Sequence, residues 1–524
     1  MFDQALPEIL ADVAARHADL TAINFQKRAT TYKDLDTASG RVAAWLAARG
    51  IRQGDRVGLY CINSDFFVQA YFGILKAGAA VVPVNLLLNP REIAFILNDA
   101  GARGLIYFSG FAAAVDILRP LAPGLEFRLR IGDQEHRTDD HDWQAAVTCT
   151  APPPAINFQP TEDLAAILYT SGTTGRPKGA MLTHRNLAAN VHSAARALQI
   201  EPDRERVLVV LPMFHAFAAT AGMLLPLLHG CRIIPLPRFD LEELPAAMAR
   251  EQATLFMAVP SMYVALLHLP DHLTKAFASL RYCISGGAAL PVAVMEQFEA
   301  KFGKLIYEGD GPTECSPVTC VNPIGGLRKP GTVGRPVPDV EMRIMDEQGA
   351  VLPQDTIGEI CVRGPNVMRG YWNLPEDTKN AFFGEWFRTG DLGQVDADGY
   401  FSIVDRKKDM IIINGMNIYP RIIEEQLMRH PAVREAAVVG EPHPLHGEIP
   451  VAFLSLKPGA TLTVREARNH CRESLGRHEI PRKVIFLPDL PKNAAGKIMK
   501  RELRRQGEIE RGVDLTPAGR KTNV

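Results

Sequence analysis

The run at residues 169–179, Tyr-Thr-Ser-Gly-Thr-Thr-Gly-Arg-Pro-Lys-Gly, restricts the fold more than any other stretch of the chain. Ser171, Thr173 and Thr174 stand among Gly172, Gly175 and Gly179, and Lys178 follows closely. A stretch so rich in hydroxyls and glycine has no apolar face with which to enter a core. Glycine admits positive φ and lets backbone N–H groups approach an anion. Hydroxyls donate to oxygens, and the ammonium adds a mobile positive charge. A polyphosphate is the ligand that suits this composition. The apolar residues 164–168 come first, so the loop is expected to leave the end of a buried strand. The spacing is not that of a Walker A loop, which needs Gly-Lys-Ser/Thr, because Arg176 and Pro177 separate Gly175 from Lys178.

The flanking chain alternates strand and helix. Thr31 and Asp34 have the spacing of a capping box, and Leu35, Ala38, Val42 and Leu46 follow at helical period up to Gly50. Strands are expected at 56–61, 79–84 and 104–108. Apolar stripes at helical spacing separate them, one through Phe67, Ala70, Tyr71 and Ile74, the other behind an Asn89-Pro90 cap. The alternation resumes after a stiff proline-rich connection at 151–155, with strands near 207–211, 232–235, 255–259, 280–284 and 305–308. Alternation of this kind predicts parallel sheets with covered faces. From 331 to 404 the period shifts toward two, with antiparallel strands expected at 341–345, 358–363 and 400–404. After Lys408 a smaller α+β unit is expected, with strands at 436–439, 451–456 and 484–487 and helices at 422–430 and 464–475.

A chain of 524 residues exceeds one core and predicts roughly two to four structural units. Its formal net charge of −1 carries no polyanion footprint, so nucleic acid is not an expected partner. The eight cysteines form no C-x-x-C pair, and His443 and His446 lack cysteine neighbours, which predicts reduced thiols and no structural zinc. Residues 1–20 read as an amphipathic helix and not as a signal peptide. The most apolar region, 207–236, is broken by Pro212, His215, Pro226, His229 and Arg232, so no membrane span is expected and the compartment is read as cytoplasm.

Further boxes follow the loop in order. Gly286-Gly287-Ala288-Ala289 would let a flat ring approach the backbone. Asp310-Gly311-Pro312-Thr313-Glu314 places a carboxylate that, facing a hydroxyl-lined phosphate loop, calls for a cation between them. Asp391 closes a Thr-Gly-Asp, and Arg406 opens a charged run before an apolar strand. Residues 491–497, Pro-Lys-Asn-Ala-Ala-Gly-Lys, form a glycine loop ending in Lys497. Taken alone, a Gly-Gly or a Thr-Gly-Asp is most often a turn, and a glycine loop most often surface.

In this order, the boxes resemble the acyl-adenylate-forming superfamily of AMP-binding enzymes, and within it the acyl-CoA synthetases such as fatty-acid–CoA and 4-coumarate–CoA ligases. The resemblance runs roughly from residue 31 to 503. It implies an α/β fold: a large N-terminal domain of parallel βα subdomains with a small β-rich subdomain, then a small mobile α+β C-terminal domain. By the resemblance, residues 1–407 bind ATP and the acyl group, Lys408 is the hinge, and residues 409–524 carry the catalytic Lys497. ATP would be held by Thr170, Ser171, Gly172, Thr173, Thr174, Gly175, Lys178, Gly287, Ala288, Asp310, Gly311, Thr313, Asp391 and Arg406. Thr170 and Glu314 would hold Mg2+, with Glu314 counted among the catalytic residues, and Gly415 would meet CoA. His215 would gate the acyl pocket, lined also by Phe217, Ala221, Gly311, Pro317 and Val318. Alone, a histidine in so apolar a setting is more often a satisfied core residue.

Asp310 departs from the pattern, standing where the family has an aromatic residue stacked on adenine. The lost stacking face weakens adenine binding unless another apolar side chain supplies it. Acceptance from the exocyclic amine and an altered nucleotide preference both stay open, and a non-catalytic nucleotide-binding protein is the competing class. The acyl-pocket positions are apolar or small with no Lys or Arg, which predicts a monocarboxylate: a medium- or long-chain fatty acid, or alternatively an aryl or alicyclic acid. The expected partners are this acid, ATP and CoA, with a homodimer left open.

Overall fold

Apolar runs rich in Val, Ile and Leu become the central strands of two large sheets. The computed structural model describes residues 3–132, 139–171, 176–414, 416–493 and 496–510. The chain divides into two compact units, one of Met1–Thr389 with Gly393–Ile403, the other of Gly390–Leu392 with Val404–Val524.

In the larger unit, an eight-stranded sheet has the spatial order Gly370–Tyr371, Pro177–Thr183, Leu164–Ser171, Ala80–Pro83, Arg56–Tyr60, Gly104–Phe108, Phe127–Ile131, His141–Asp142. From Leu164–Ser171 onward neighbours run parallel, and the first two strands add antiparallel. A nine-stranded sheet holds Arg206–Val209, Arg232–Pro235, Leu255–Ala258, Tyr282–Ser285 and Ile306–Asp310 in parallel. The expected alternation is present, with strand boundaries shifted by at most two residues. The caps that start the helices are local: Thr31 accepts from the Asp34 amide at 3.1 Å, and Asn89 from those of Arg91 and Glu92. Tyr32–Ala47 and Asp65–Lys76 follow or precede strands as their periodicity predicts.

Two features lie outside the periodicity. Pro177–Thr183 is a strand that turns back on Leu164–Ser171, so the run read as a phosphate cradle is flanked by the two strands of a hairpin and not by a strand and a helix. The apolar region after Arg206–Val209 contains a π-helical turn, Ala218–Leu224, whose small side chains let it pack between that strand and the helix His184–Ala197. Among the described residues, no helix is long and apolar enough to cross a membrane.

The smaller unit is α+β. Its sheet runs Met416–Ile418, Ile411–Ile413, Gly447–Leu456, Val433–His443, with Lys483–Phe486 parallel to Gly447–Leu456. Both faces are covered, because alternate residues serve different cores. Val438, Ala452 and Leu454 pack with Ile423 and Leu427 of the helix Pro420–Met428. Val439, Val451 and Phe453 pack with Leu490 and Leu503.

Candidate active site

The hairpin sets Thr170 directly opposite Lys178. Gly172, Thr173, Thr174 and Gly175 lie outside the described residues, as does the side chain of Ser171. At the rims of the loop, Thr170 Oγ1 donates to Glu314 Oε1 at 3.3 Å. Glu314 sits in the single turn Thr313–Cys315, which follows the strand Ile306–Asp310. The structure therefore joins the two residues read as a metal pair, with Thr313 beside them in the same turn.

Two residues that the sequence reading missed complete this cluster. The Tyr371 hydroxyl donates to the same Glu314 oxygen at 3.0 Å. Burial, and next the Glu314 charge, lifts the Tyr371 phenol well above its ordinary range, so it keeps the proton it donates. Its ring lies 5.3 Å from Lys178 Nζ, within cation–π range. Lys178 itself is ion-paired to Asp377. Tyr371 arrives by pairing of Gly370–Tyr371 with Met181 and Ala180, and the segment before it is clamped by Asn186, whose amide donates to Pro365 O and Val367 O at 2.8 Å. The only trace of this in the sequence is the Gly-Tyr-Trp at 370–372 ahead of Pro375-Glu-Asp377.

The donor set fits a hard divalent cation. Glu314 and Thr170 offer oxygen ligands only, and among the described residues no group of three or more His, Cys, Asp or Glu could hold a metal. One carboxylate suits Mg2+, which completes its octahedron with water and substrate phosphates.

At the same, C-terminal end of the neighbouring parallel strand, Gly286 follows Tyr282–Ser285. A Cβ on Gly286 would lie 3.2 Å from the Phe217 ring and 3.4 Å from Gly309 O, so its missing side chain lets Phe217 close on the turn. Gly287 next to it takes φ +78°, and Ala288 is half-buried. Buried Glu308 accepts from the Leu290 amide at 3.0 Å and so fixes the far side of this turn, a role the sequence did not signal. Gly311 has no room for any side chain, since a Cβ would fall 1.5 Å from Pro317 O. The carbonyl of half-buried Asp310 accepts from both the amide and the hydroxyl of Thr319 at 3.0 Å. Val318 is held at both backbone groups by fully buried Asn190, at 2.6 and 3.1 Å. His215 is half-buried just ahead of the π-helical turn, and its Nδ1 accepts from the Phe217 amide at 3.4 Å. Ala221 is buried within that turn. Phe217, the 286–287 turn, Gly311, Pro317 and Val318 are thus gathered around the start of the chain segment that carries Glu314.

In the smaller unit, Asp391 is nearly buried and paired with Arg406 Nε at 2.9 Å, while the Lys407 amide donates to Gly390 O at 2.9 Å. The two residues read as ATP ligands are therefore each other's partners. Burial, then the neighbouring Arg406, lowers the Lys408 ammonium below its ordinary value. Gly415 lies outside the described residues. Lys497 ends a tight turn closed by Asn493, whose amide donates to Lys497 O and whose side chain accepts from the Lys497 amide, both at 2.9 Å. Three residues on, Lys500 pairs with Glu424 of the helix Pro420–Met428 at 2.8 Å, which anchors the base of that turn.

Comparison with known proteins gives the family. A family described as AMP-binding enzyme matches residues 10–372, and the AMP-binding enzyme C-terminal domain matches residues 422–497. A long-chain-fatty-acid–CoA ligase of Bacillus subtilis is 37% identical, with 96% of this chain and 94% of the relative covered. A feruloyl-CoA synthase of an Amycolatopsis species is 36% identical, with 93% and 96% covered. The crystal structure of an anthranilate CoA ligase in complex with anthranoyl-AMP superposes with a TM-score of 0.91 at 30% identity, covering 98% of this chain and 99% of that one. On these matches the chain belongs to the AMP-binding enzyme family, in its acyl-CoA synthetase branch, and is an AMP-forming acid–CoA ligase.

Proposed function

We propose that this ligase activates a medium- or long-chain fatty acid. The observation that carries the reading is the chemistry of the acyl-pocket positions: Phe217, Ala221, Gly311, Pro317 and Val318 are apolar or small, His215 is the one titratable side chain among them, and none is Lys or Arg to greet a second carboxylate. The names of the fatty-acid ligase relatives favour the same substrate. An aryl acid is the second reading, favoured by the feruloyl and anthranilate relatives. The eight cysteines, all without disulfides, suit a reducing cytoplasm.

In the first half-reaction a carboxylate oxygen attacks the α-phosphorus of ATP, and the bond to the bridging oxygen breaks to release pyrophosphate. Two anions must meet, so Lys178 and Lys497 offset their repulsion and stabilise the charge that grows on the phosphorus oxygens. Thr170 and Glu314 would hold Mg2+, which when bound supplies further neutralisation of the phosphate oxygens. The Gly287–Ala288 backbone and Asp310 meet the adenine, and Asp391 with Arg406 the ribose; for this, their mutual ion pair must open or share its oxygens with the sugar hydroxyls. In the second half-reaction the CoA sulfur attacks the acyl carbonyl and AMP leaves. By the family resemblance Lys497 serves the first half-reaction and Gly415 the second, with Lys408 read as the hinge. His215 gates the passage between acid and thiol.

The substrate is tested by incubating the enzyme with ATP, CoA and a panel of fatty, aryl and alicyclic acids and weighing the thioesters formed. Preference for aryl acids would overturn the fatty-acid reading. The role of Lys497 is tested separately: Lys497→Ala is expected to lower acyl-adenylate formation at least about 100-fold, the scale of one lost transition-state charge contact. Thioester formation from presynthesised acyl-adenylate should stay within a few-fold, and equal loss of both would remove the assignment.

A further inference from the structure

Lys178 is the cation of the phosphate loop, and its side chain is only 15% exposed. An ammonium so enclosed needs a counter-charge, because removal from water without one is costly. Here the counter-charge is Asp377, itself 35% exposed. Asp377 is held on a rigid element. It lies in the first turn of the short helix Pro375–Asn380, and Thr378 beside it ties that helix to the sheet edge: its hydroxyl accepts from the Tyr371 amide at 2.8 Å and donates to Leu374 O at 2.9 Å. The carboxylate therefore cannot follow the lysine far.

This placement creates a competition. Phosphates entering the loop bring several negative charges toward an ammonium that already has a partner, and Asp377 then stands as a like charge beside them. We propose that Asp377 is a resident counter-ion that competes with the nucleotide's phosphates for Lys178, and so sets how tightly ATP is held and how readily pyrophosphate leaves. The inference rests on the reading of Lys178 as a phosphate ligand. In this structure the pair is closed. ATP binding exchanges the carboxylate for phosphate oxygens, and once the adenylate has formed, Asp377 recaptures the lysine and loosens the departing pyrophosphate.

The test uses the full chain as wild type, Asp377→Asn, Lys178→Ala and the double variant, with MgATP binding measured calorimetrically in the absence of acid and with inhibition by added pyrophosphate. Asp377→Asn is expected to bind MgATP about fivefold tighter, the scale of one partly exposed charge pair, and to be inhibited by pyrophosphate at correspondingly lower concentration. Lys178→Ala should weaken binding, and adding Asp377→Asn to it should gain less than Asp377→Asn gains in the wild type, because only the relief of like-charge repulsion remains. Unchanged or weaker binding in Asp377→Asn, with Lys178→Ala still weakened, overturns the proposal alone. Unchanged binding in Lys178→Ala overturns the phosphate-ligand reading and the proposal with it. Amine labelling of Lys178 read by mass spectrometry gives an independent measure, with Asp377→Ser as a second variant: several-fold faster labelling without nucleotide is expected, and an unchanged rate would count against the pairing.

Discussion

The Tyr371 hydroxyl donates to Glu314 Oε1 at 3.0 Å while the same ring lies 5.3 Å from the Lys178 ammonium. One side chain thus touches both the carboxylate read as the metal ligand and the lysine read as a phosphate ligand. Its hydroxyl and the Thr170 hydroxyl both donate to Oε1.

Tyr371→Phe separates the two contacts, since it removes the donor and keeps the ring. A hydrogen bond to a charged group contributes about 1.5–3 kcal/mol, so the Mg2+ concentration for half-maximal pyrophosphate release is expected to rise about tenfold or more. The KM for the acid should stay within about twofold, because the acid is not among its partners. A matching rise in acid KM would place Tyr371 elsewhere in the mechanism.

Gly311→Ala tests the turn that joins the acyl and phosphate ends. Its Cβ would sit 1.5 Å from Pro317 O, a clash with backbone that no rotamer relieves. The expected cost is on the order of 2–4 kcal/mol of stability, visible as a lower midpoint in urea unfolding. Where the variant still folds, kcat/KM for the acid should fall at least about tenfold through displacement of Pro317 and Val318. Unaltered stability would mean that the turn is far more pliable than its geometry implies.

His184 links the N-terminal helix Leu6–Arg16 to the strand that carries Lys178. It follows Thr183 at the end of that strand, accepts from the Leu6 amide at 3.3 Å and packs against Phe158. Burial pushes its imidazolium down to about 4. The folded protein therefore binds this proton more weakly than the unfolded chain, so its stabilising effect is complete above about pH 6.5 and is lost as pH falls toward 4. The loss amounts to roughly 3 kcal/mol, and His184→Gln should flatten the decline of melting temperature across that window. A variant with the same acid profile as wild type would assign the decline to other groups.

Much of the architecture was legible because it is local. The Thr31–Asp34 box, the Asn89 cap and the alternation of strand and helix all depend on residues a few positions apart, and each appears where the pattern places it. The hairpin at Pro177–Thr183 was less legible, because the glycine and hydroxyl run dominates the pattern and the short returning strand is read only through its partner.

By itself the sequence determined the chemical inventory: a hydroxyl- and glycine-rich loop with Lys178, a carboxylate at Glu314, and a glycine turn ending in Lys497. These are properties of residue type and spacing, which composition carries directly. Only the tertiary structure decided which groups meet. Thr170 reaches Glu314 across 144 positions, from one large sheet to a turn that follows a strand of the other, and Lys178 finds Asp377 across 199, because a two-residue strand at Gly370–Tyr371 adds to the edge of the loop's own hairpin. No periodicity marks so short a strand, since its register is set by backbone pairing with Met181 and Ala180, and that pairing exists only once the sheet has formed.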